Sequence, residues 1–255
     1  MTAVVTPTLS PADQAAAAAK VNQAMQAILP NVRVGFEVFD RVNGTVLISQ
    51  DADRQVASMS VVKLLIALDA LARENGVTRG STMPQELHQM LATSDDRIAS
   101  KLWTAGGGPA IVTRMVRLLD LTGTRPPDDP GAWGETRTTP QDMVRVYRYI
   151  TDHLPNADQH LVLGALAATL KIAADGFGQH FGIPDGMPQL RWAVKQGWGT
   201  SGSQAVMNST GLVGTEWRYI VVMLASAPAR SYATLPTVVT AGAEALASLA
   251  CAAAS

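Results

Sequence analysis

Strand-like segments stand towards the two ends of this 255-residue chain, and a long helical stretch separates them. Residues 32–39 alternate apolar and polar side chains, Asn43-Gly44 is a hairpin turn signal, and residues 45–49 read as the returning strand. Far down the chain, residues 191–197, 204–212 and 217–225 read as three strands joined by short turns. A lone hairpin is marginal in water, so the early pair must join the late three. This predicts one antiparallel five-stranded sheet assembled from both ends of the chain, with helices on its face. At 47% hydrophobic and 16% charged residues, the chain can bury a core of that size.

The helices are announced by their caps. Ser10-Pro11-Ala12-Asp13 sets a serine N-cap, a proline at the first position and an acid in the first turn, predicting a helix to about Leu29. Residues 61–75 form an apolar run opened by Ser60, and shorter helices are expected over 84–91, 97–103 and 109–119. Residues 123–136, rich in Pro, Gly and Asp, read as a long loop, in which Trp133 would pin the loop to the body. Thr139-Pro140-Gln141-Asp142 starts another helix, 158–171 is a further one, 173–189 is irregular, and 235–250 is a closing alanine-rich helix. The expected architecture is a mixed α/β (α+β) fold in two lobes. Residues 1–58 and 172–255 would form the sheet lobe, and 59–171 the helical lobe.

Three short motifs carry the chemistry. Ser60-Val61-Val62-Lys63 is the only Ser-x-x-Lys in the chain. Residues three apart share a helix face, so the Lys63 amine can sit beside the Ser60 hydroxyl. A desolvated lysine can then take the serine proton and make it a nucleophile. Ser94-Asp95-Asp96 is the first element to follow, and Lys195-Gln196-Gly197 is the only Lys-x-Gly. Each also has a plain structural explanation: Ser60 as a helix N-cap, Ser94-Asp95-Asp96 as a capping loop, Lys195 as a solvated strand lysine.

S-x-x-K, then S-D-N, then K-T-G is the signature order of class A β-lactamases and penicillin-binding proteins. In these residues the chain resembles that superfamily of penicillin-recognising serine enzymes, closest to class A β-lactamase-like proteins. The resemblance implies the two-lobed fold with a site between the lobes. It implies Ser60 as nucleophile, Lys63 as base, and Ser94 as the group passing a proton to the leaving nitrogen. Lys195 would add positive charge over the cleft, and Asp96, Gln196, Gly197 and Trp198 would contact substrate. The backbone N–H groups of Ser60 and Trp198 would form the oxyanion hole. No cofactor is implied, and the ligand would be a β-lactam or a peptidoglycan-derived peptide.

The departures are chemical. Asp96 stands where an asparagine donates an amide N–H; ionised, it only accepts, and its charge should raise the pKa of Lys63 and Lys195. Gln196 replaces a small hydroxyl residue. Thr138-Thr139-Pro140 is present, but the loop before it holds no Glu-x-x-x-Asn; Asp128, Asp129 and Glu135 are its acids. The expectation is acylation of Ser60 with slow release. A D-Ala-D-Ala carboxypeptidase or endopeptidase, and a non-catalytic binding protein of the same fold, are the alternatives.

Other classes find little support. The net charge of −1 and pI of about 6.4 give no basic footprint for nucleic acid. No apolar run reaches the roughly 18 residues of a membrane span, so the chain is expected to be soluble. Residues 1–9 lack a signal-peptide pattern. The resemblance implies an extracytoplasmic protein whose export segment or anchor is absent from this sequence. Cys251 is the single cysteine, and His88, His153, His160 and His180 lack metal-site spacing.

Overall fold

The computed structural model describes residues 10–74, 76 and 82–252. The chain starts with helix α1 (Pro11–Ile28), strands β1 (Arg33–Asp40) and β2 (Thr45–Gln50), and the two-residue β3 (Val56–Ala57). A 3-10 turn, Met59–Val62, leads into α2 (Lys63–Arg73). Helices α3 (Met83–Ala92), α4 (Asp96–Ala105) and α5 (Ala110–Leu119) follow. The long loop ends in β4 (Arg137–Thr138), then come α6 (Pro140–Asp152), α7 (Asn156–Ala167) and the single turn α8 (Ile183–Gly186). Strands β5 (Trp192–Ser201), β6 (Gln204–Val213) and β7 (Tyr219–Pro228) precede the final helix α9 (Leu235–Ala252). The expected end of α2 at Asn75 and the residues before Ser10 lie outside the described residues.

The ends of the chain meet in one antiparallel sheet in the order β2-β1-β7-β6-β5. The late strand β7 inserts beside the early β1, with Val38 opposite Val221, and this closes the sheet. Being central, β7 is buried on both faces and is apolar nearly throughout. Ile220, Val222 and Leu224 face the helical body, while Val221, Met223 and Ala225 join the core under α1 and α9. The sheet is therefore a middle layer, with terminal helices on one side and α2–α7 on the other. β5 is the edge strand, and it lies against the 3-10 turn.

Several boundaries differ from expectation, with β5 running on to Ser201 and β7 to Pro228, and two differences have a clear local cause. Helix α7 stops at Ala167 because tertiary contacts capture the next residues: the Thr169 hydroxyl donates to the carbonyls of Leu166 (2.9 Å) and Val194 (3.1 Å). Strand β7 starts at Tyr219 rather than at Trp217, since Glu216 and Trp217 turn in left-handed conformation.

The long loop over 123–136 is tied at its start by Asp142, in the first turn of α6. Its buried carboxylate accepts from the Thr122 N–H (3.1 Å), the Gly123 N–H (2.8 Å) and the Thr124 hydroxyl (2.7 Å). Replacing it would strand three donors. Asp142→Ala should cost about 2–4 kcal/mol, read as a drop in the midpoint of denaturant unfolding.

Candidate active site

Ser60 sits in the 3-10 turn, whose position is set by backbone contacts from two sides. Ser58 donates its N–H to the Thr136 carbonyl (2.8 Å) through the β3–β4 ribbon. From the sheet, the buried Asn208 amide donates to the carbonyls of Ala57 (2.9 Å) and Ser58 (3.1 Å). Gly197, opposite Asn208 on β5, makes this approach possible: a Cβ there would meet the Ser58 carbonyl oxygen at 2.7 Å. Met59, just before Ser60, has φ +49°, and Ser94 has φ +57°. Non-glycine residues adopt this conformation at a cost, held by their surroundings.

Lys63 begins α2 and is fully buried. Its Nζ lies 2.9 Å from Ser60 Oγ, 2.7 Å from the Ser94 carbonyl, 3.0 Å from Ser94 Oγ and 2.6 Å from Asp96 Oδ1. An amine nitrogen has three directions besides its own carbon, so four oxygens compete for it. As an ammonium it donates to Ser60; as a neutral amine it can accept the serine proton. Ser60 has no capping bond, so the capping explanation of the motif does not fit.

Lys195, on β5, is also buried and points to the same place: its Nζ donates to Ser94 Oγ (3.0 Å) and the Gln196 carbonyl (3.0 Å). It is not a solvated strand lysine. Thr210 on β6 holds the strand here, donating to the Lys195 carbonyl (2.7 Å) and bonding to the buried Tyr147 hydroxyl (2.9 Å). Ser94 Oγ thus faces two lysines. With both lone pairs taken by N–H donors, its own O–H is left to point elsewhere.

Burial pushes the pKa of Lys63 down, and Asp96 pushes it up by charge and hydrogen bond. Asp96 acts in the expected direction, but desolvation wins, so Lys63 is below the ordinary lysine value rather than above it. The Asp96 side chain is 62% exposed, and water weakens its pull. Lys195 falls well below its ordinary value, chiefly by burial and then by repulsion from Lys63.

Asp95 caps α4 by accepting from the Ile98 N–H (3.0 Å). Gln196 is a different matter from what the motif led us to expect. Neighbours on a strand point to opposite faces, so with Lys195 turned to the cleft, Gln196 is turned away. It is fully buried, and its amide donates to the Phe181 carbonyl rather than into the cleft. Trp198 lies at the rim, stacked on Phe177 with ring centres 4.9 Å apart.

The cleft beside Ser60, about 180 Å³, is lined by Met59, Asp96, Trp133, Asp175 and Trp198 among others. Two of these carry no signal in the sequence motifs. Trp133 does bond to the body through Ser100 (3.3 Å), but it also forms a wall of the cleft, its ring centre 5.0 Å from Lys63 Nζ. Trp103 adds a second tie on the loop, its indole donating to the Pro130 carbonyl (2.8 Å). Asp175 arrives on the irregular segment after α7 and accepts from the Trp198 indole (3.0 Å). Gln179 and the Ala174 N–H tie that segment to the carbonyls of Ala92 and Thr93, next to Ser94. The loop acids stay outside: Glu135 accepts from Ser201 (2.6 Å) and pairs with Arg137, and Asp128, Asp129 and Glu135 line a separate cavity.

The fold is that of class A β-lactamases and the penicillin-binding protein PBP-A. A β-lactamase from Streptosporangium roseum superposes with a TM-score of 0.73 at 18% identity, covering 92% of this chain and 98% of that one. PBP-A, in an acyl-enzyme complex with penicillin G, gives 0.71 at 17% identity over 91% and 96%. An ancestral class A β-lactamase gives 0.69 at 20% over 91% and 99%. In sequence, the chain is 38% identical over 198 residues to a protein of Mycobacterium tuberculosis named "Putative lipoprotein LppW", and equally to the protein of that name in Mycobacterium bovis. The match takes in 75% of this chain and spans 62% of those relatives' length. No family model matches the chain.

The two depressed lysines make stability depend on pH. The unfolded chain holds these protons more tightly, so stability should rise with pH from the depressed folded values up to the ordinary 10.5. Urea unfolding at pH 7 and pH 9.5 checks this. The gain should shrink in Lys195→Met, which removes one of the two groups.

Proposed function

We propose that the protein is a serine acyl-transfer enzyme of the β-lactamase-like type, in which Ser60 attacks a β-lactam or a related peptide amide and holds the acyl group. The single observation that carries this reading is the 2.9 Å contact between Ser60 Oγ and a buried amine held below the ordinary lysine pKa. In the proposed sequence, neutral Lys63 takes the Ser60 proton as the oxygen attacks the carbonyl carbon. Ser94 then gives its proton to the leaving nitrogen and recovers one through Lys63 or Lys195. The backbone N–H groups of Ser60 and Trp198 would receive the oxyanion. Asp96, Gly197 and Trp198 would contact the substrate. Gln196, turned away from the cleft, would act only by supporting β5.

Release of the acyl group is the weak step in this reading. Water attack needs a positioned base. The loop that could supply a carboxylate presents Trp133 to the cleft instead, and its acids line a separate cavity. A peptidoglycan-derived peptide is the natural alternative substrate to a β-lactam, through the same acyl-enzyme. The reading takes 59–171 as the lobe carrying Ser60 and Ser94, and 1–58 with 172–255 as the sheet lobe. It includes an extracytoplasmic location, supported by the lipoprotein name of the relatives; no helix among the described residues is long and apolar enough to cross a membrane.

One observation favours a second reading, a binding protein without turnover: the 2.6 Å pair between Lys63 and Asp96, which favours the ammonium. Intact mass spectrometry with a fluorescent penicillin separates the two. A persistent adduct, absent in Ser60→Ala, is the expected result, together with nitrocefin turnover below roughly 1 per second. No adduct at millimolar ligand would leave the binding protein standing.

Asp96→Asn sharpens the comparison. Asp96 raises the pKa of Lys63, so removing its charge should lower that pKa further and move the acid limb of the acylation–pH profile downward. At a fixed pH below that limb, the rate should rise about tenfold if the limb moves by one pH unit. An unmoved profile would mean that Lys63 is not the base.

A further inference from the structure

A second cavity, of about 650 Å³, opens where the start of β1 and the end of β7 meet the 54–57 segment. Arg33, Arg54 and Arg137 line it, and no Asp or Glu does. The chain carries 21 acidic and 20 basic side chains, so three arginines lining one groove, with only Glu135 beside Arg137 to oppose them, is a local departure from that balance. None of its lining residues lines the Ser60 cleft.

We propose that this groove binds a small ligand bearing two or more anionic oxygen groups, either phosphate or carboxylate. The guanidinium fork suits both, since its planar N–H pairs match two oxygens at once. Among the described residues, Arg33 and Arg54 have no carboxylate within ion-pair distance, and Arg137 has only Glu135 at 3.4 Å. Arg54 reaches the Arg33 carbonyl (3.4 Å) and the Ser226 hydroxyl, which fixes its side chain without neutralising it. Its surroundings disfavour the charge: burial acts first, then repulsion from Arg33, and Asp51 opposes them less strongly. An anion between the two arginines would relieve both effects. Arg137 faces the same space from β4, and Gln204 lines it as well. Arg54 alone could be explained as a brace between β1 and β7. That role needs neither the Arg33 nor the Arg137 side chain; Arg137, held by the Ser201 hydroxyl (3.2 Å) and Glu135, lines the same space.

Isothermal titration calorimetry of the whole chain with inorganic pyrophosphate, and separately with citrate, tests the proposal. Saturable one-site binding of at least one anion is expected at about 150 mM NaCl, where diffuse surface attraction is screened. The double variant Arg33→Gln/Arg54→Gln should weaken it at least about tenfold, Arg137→Gln should weaken it as well, and Arg117→Gln on α5 should not. Preference for pyrophosphate would assign a phosphate-bearing ligand, and preference for citrate a carboxylate-bearing one. The proposal is overturned if neither anion saturates by about 10 mM, or if the double variant melts normally and binds as tightly as the unaltered chain. Should the double variant fail to fold, unchanged binding in Arg137→Gln overturns it equally.

Discussion

Two lysines buried within reach of one serine hydroxyl are the constraint on which the site depends. Burying an ammonium is expensive, and burying two side by side adds repulsion. The fold offsets this with neutral oxygens: the Ser94 carbonyl and hydroxyl for Lys63, and the Ser94 hydroxyl with the Gln196 carbonyl for Lys195. The only carboxylate in direct contact among the described residues, Asp96, is largely in water. Carbonyl and hydroxyl partners satisfy N–H donors whether or not the amine is charged. A fully buried carboxylate would have fixed both amines as ammonium. The arrangement therefore leaves the lysines able to lose a proton, and that is the property a base needs.

The sheet edge and the nucleophile turn are held together by what is missing as much as by what is present. Gly197 has no side chain, so the Ser58 carbonyl comes close to β5 and Asn208 can grip the turn from behind. Here the restriction to glycine comes from this close contact. Lys195 and Ser60 are thereby registered to each other through a rigid strand, although they come from opposite ends of the chain. The same period-two geometry that aims Lys195 at Ser94 removes Gln196 from the cleft.

Much of this was legible because it is written in local chemistry. Caps placed α1 and α6, alternation placed the strands, and the three motifs lie where the structure gathers Ser60, Lys63, Ser94 and Lys195. Trp133 and Asp175 were not legible, and the reason is physical. Both sit in stretches rich in Gly and Pro, or otherwise irregular, whose path is set by distant anchors, the Trp103 indole on Pro130 and the Gln179 amide on Ala92. Neither anchor leaves a periodic trace in the sequence. The net direction of the Lys63 pKa change could not be read from the motif for a related reason. The opposing charge of Asp96 can be read from a motif, but the depth of burial that outweighs it belongs to the assembled core.

Trp133 bears on what such a site can do after the first step. Its ring lies over the Lys63 amine and walls the space beside Ser60, where a hydrolytic water would need a carboxylate to orient it. An indole face attracts a cation but accepts no proton from water. In the proposed reaction, this wall gives the release step no base where one would be needed. Asp175, across the cleft, has one carboxylate oxygen engaged by the Trp198 indole. Under the proposed reaction, a site built this way captures an acyl group more readily than it turns one over.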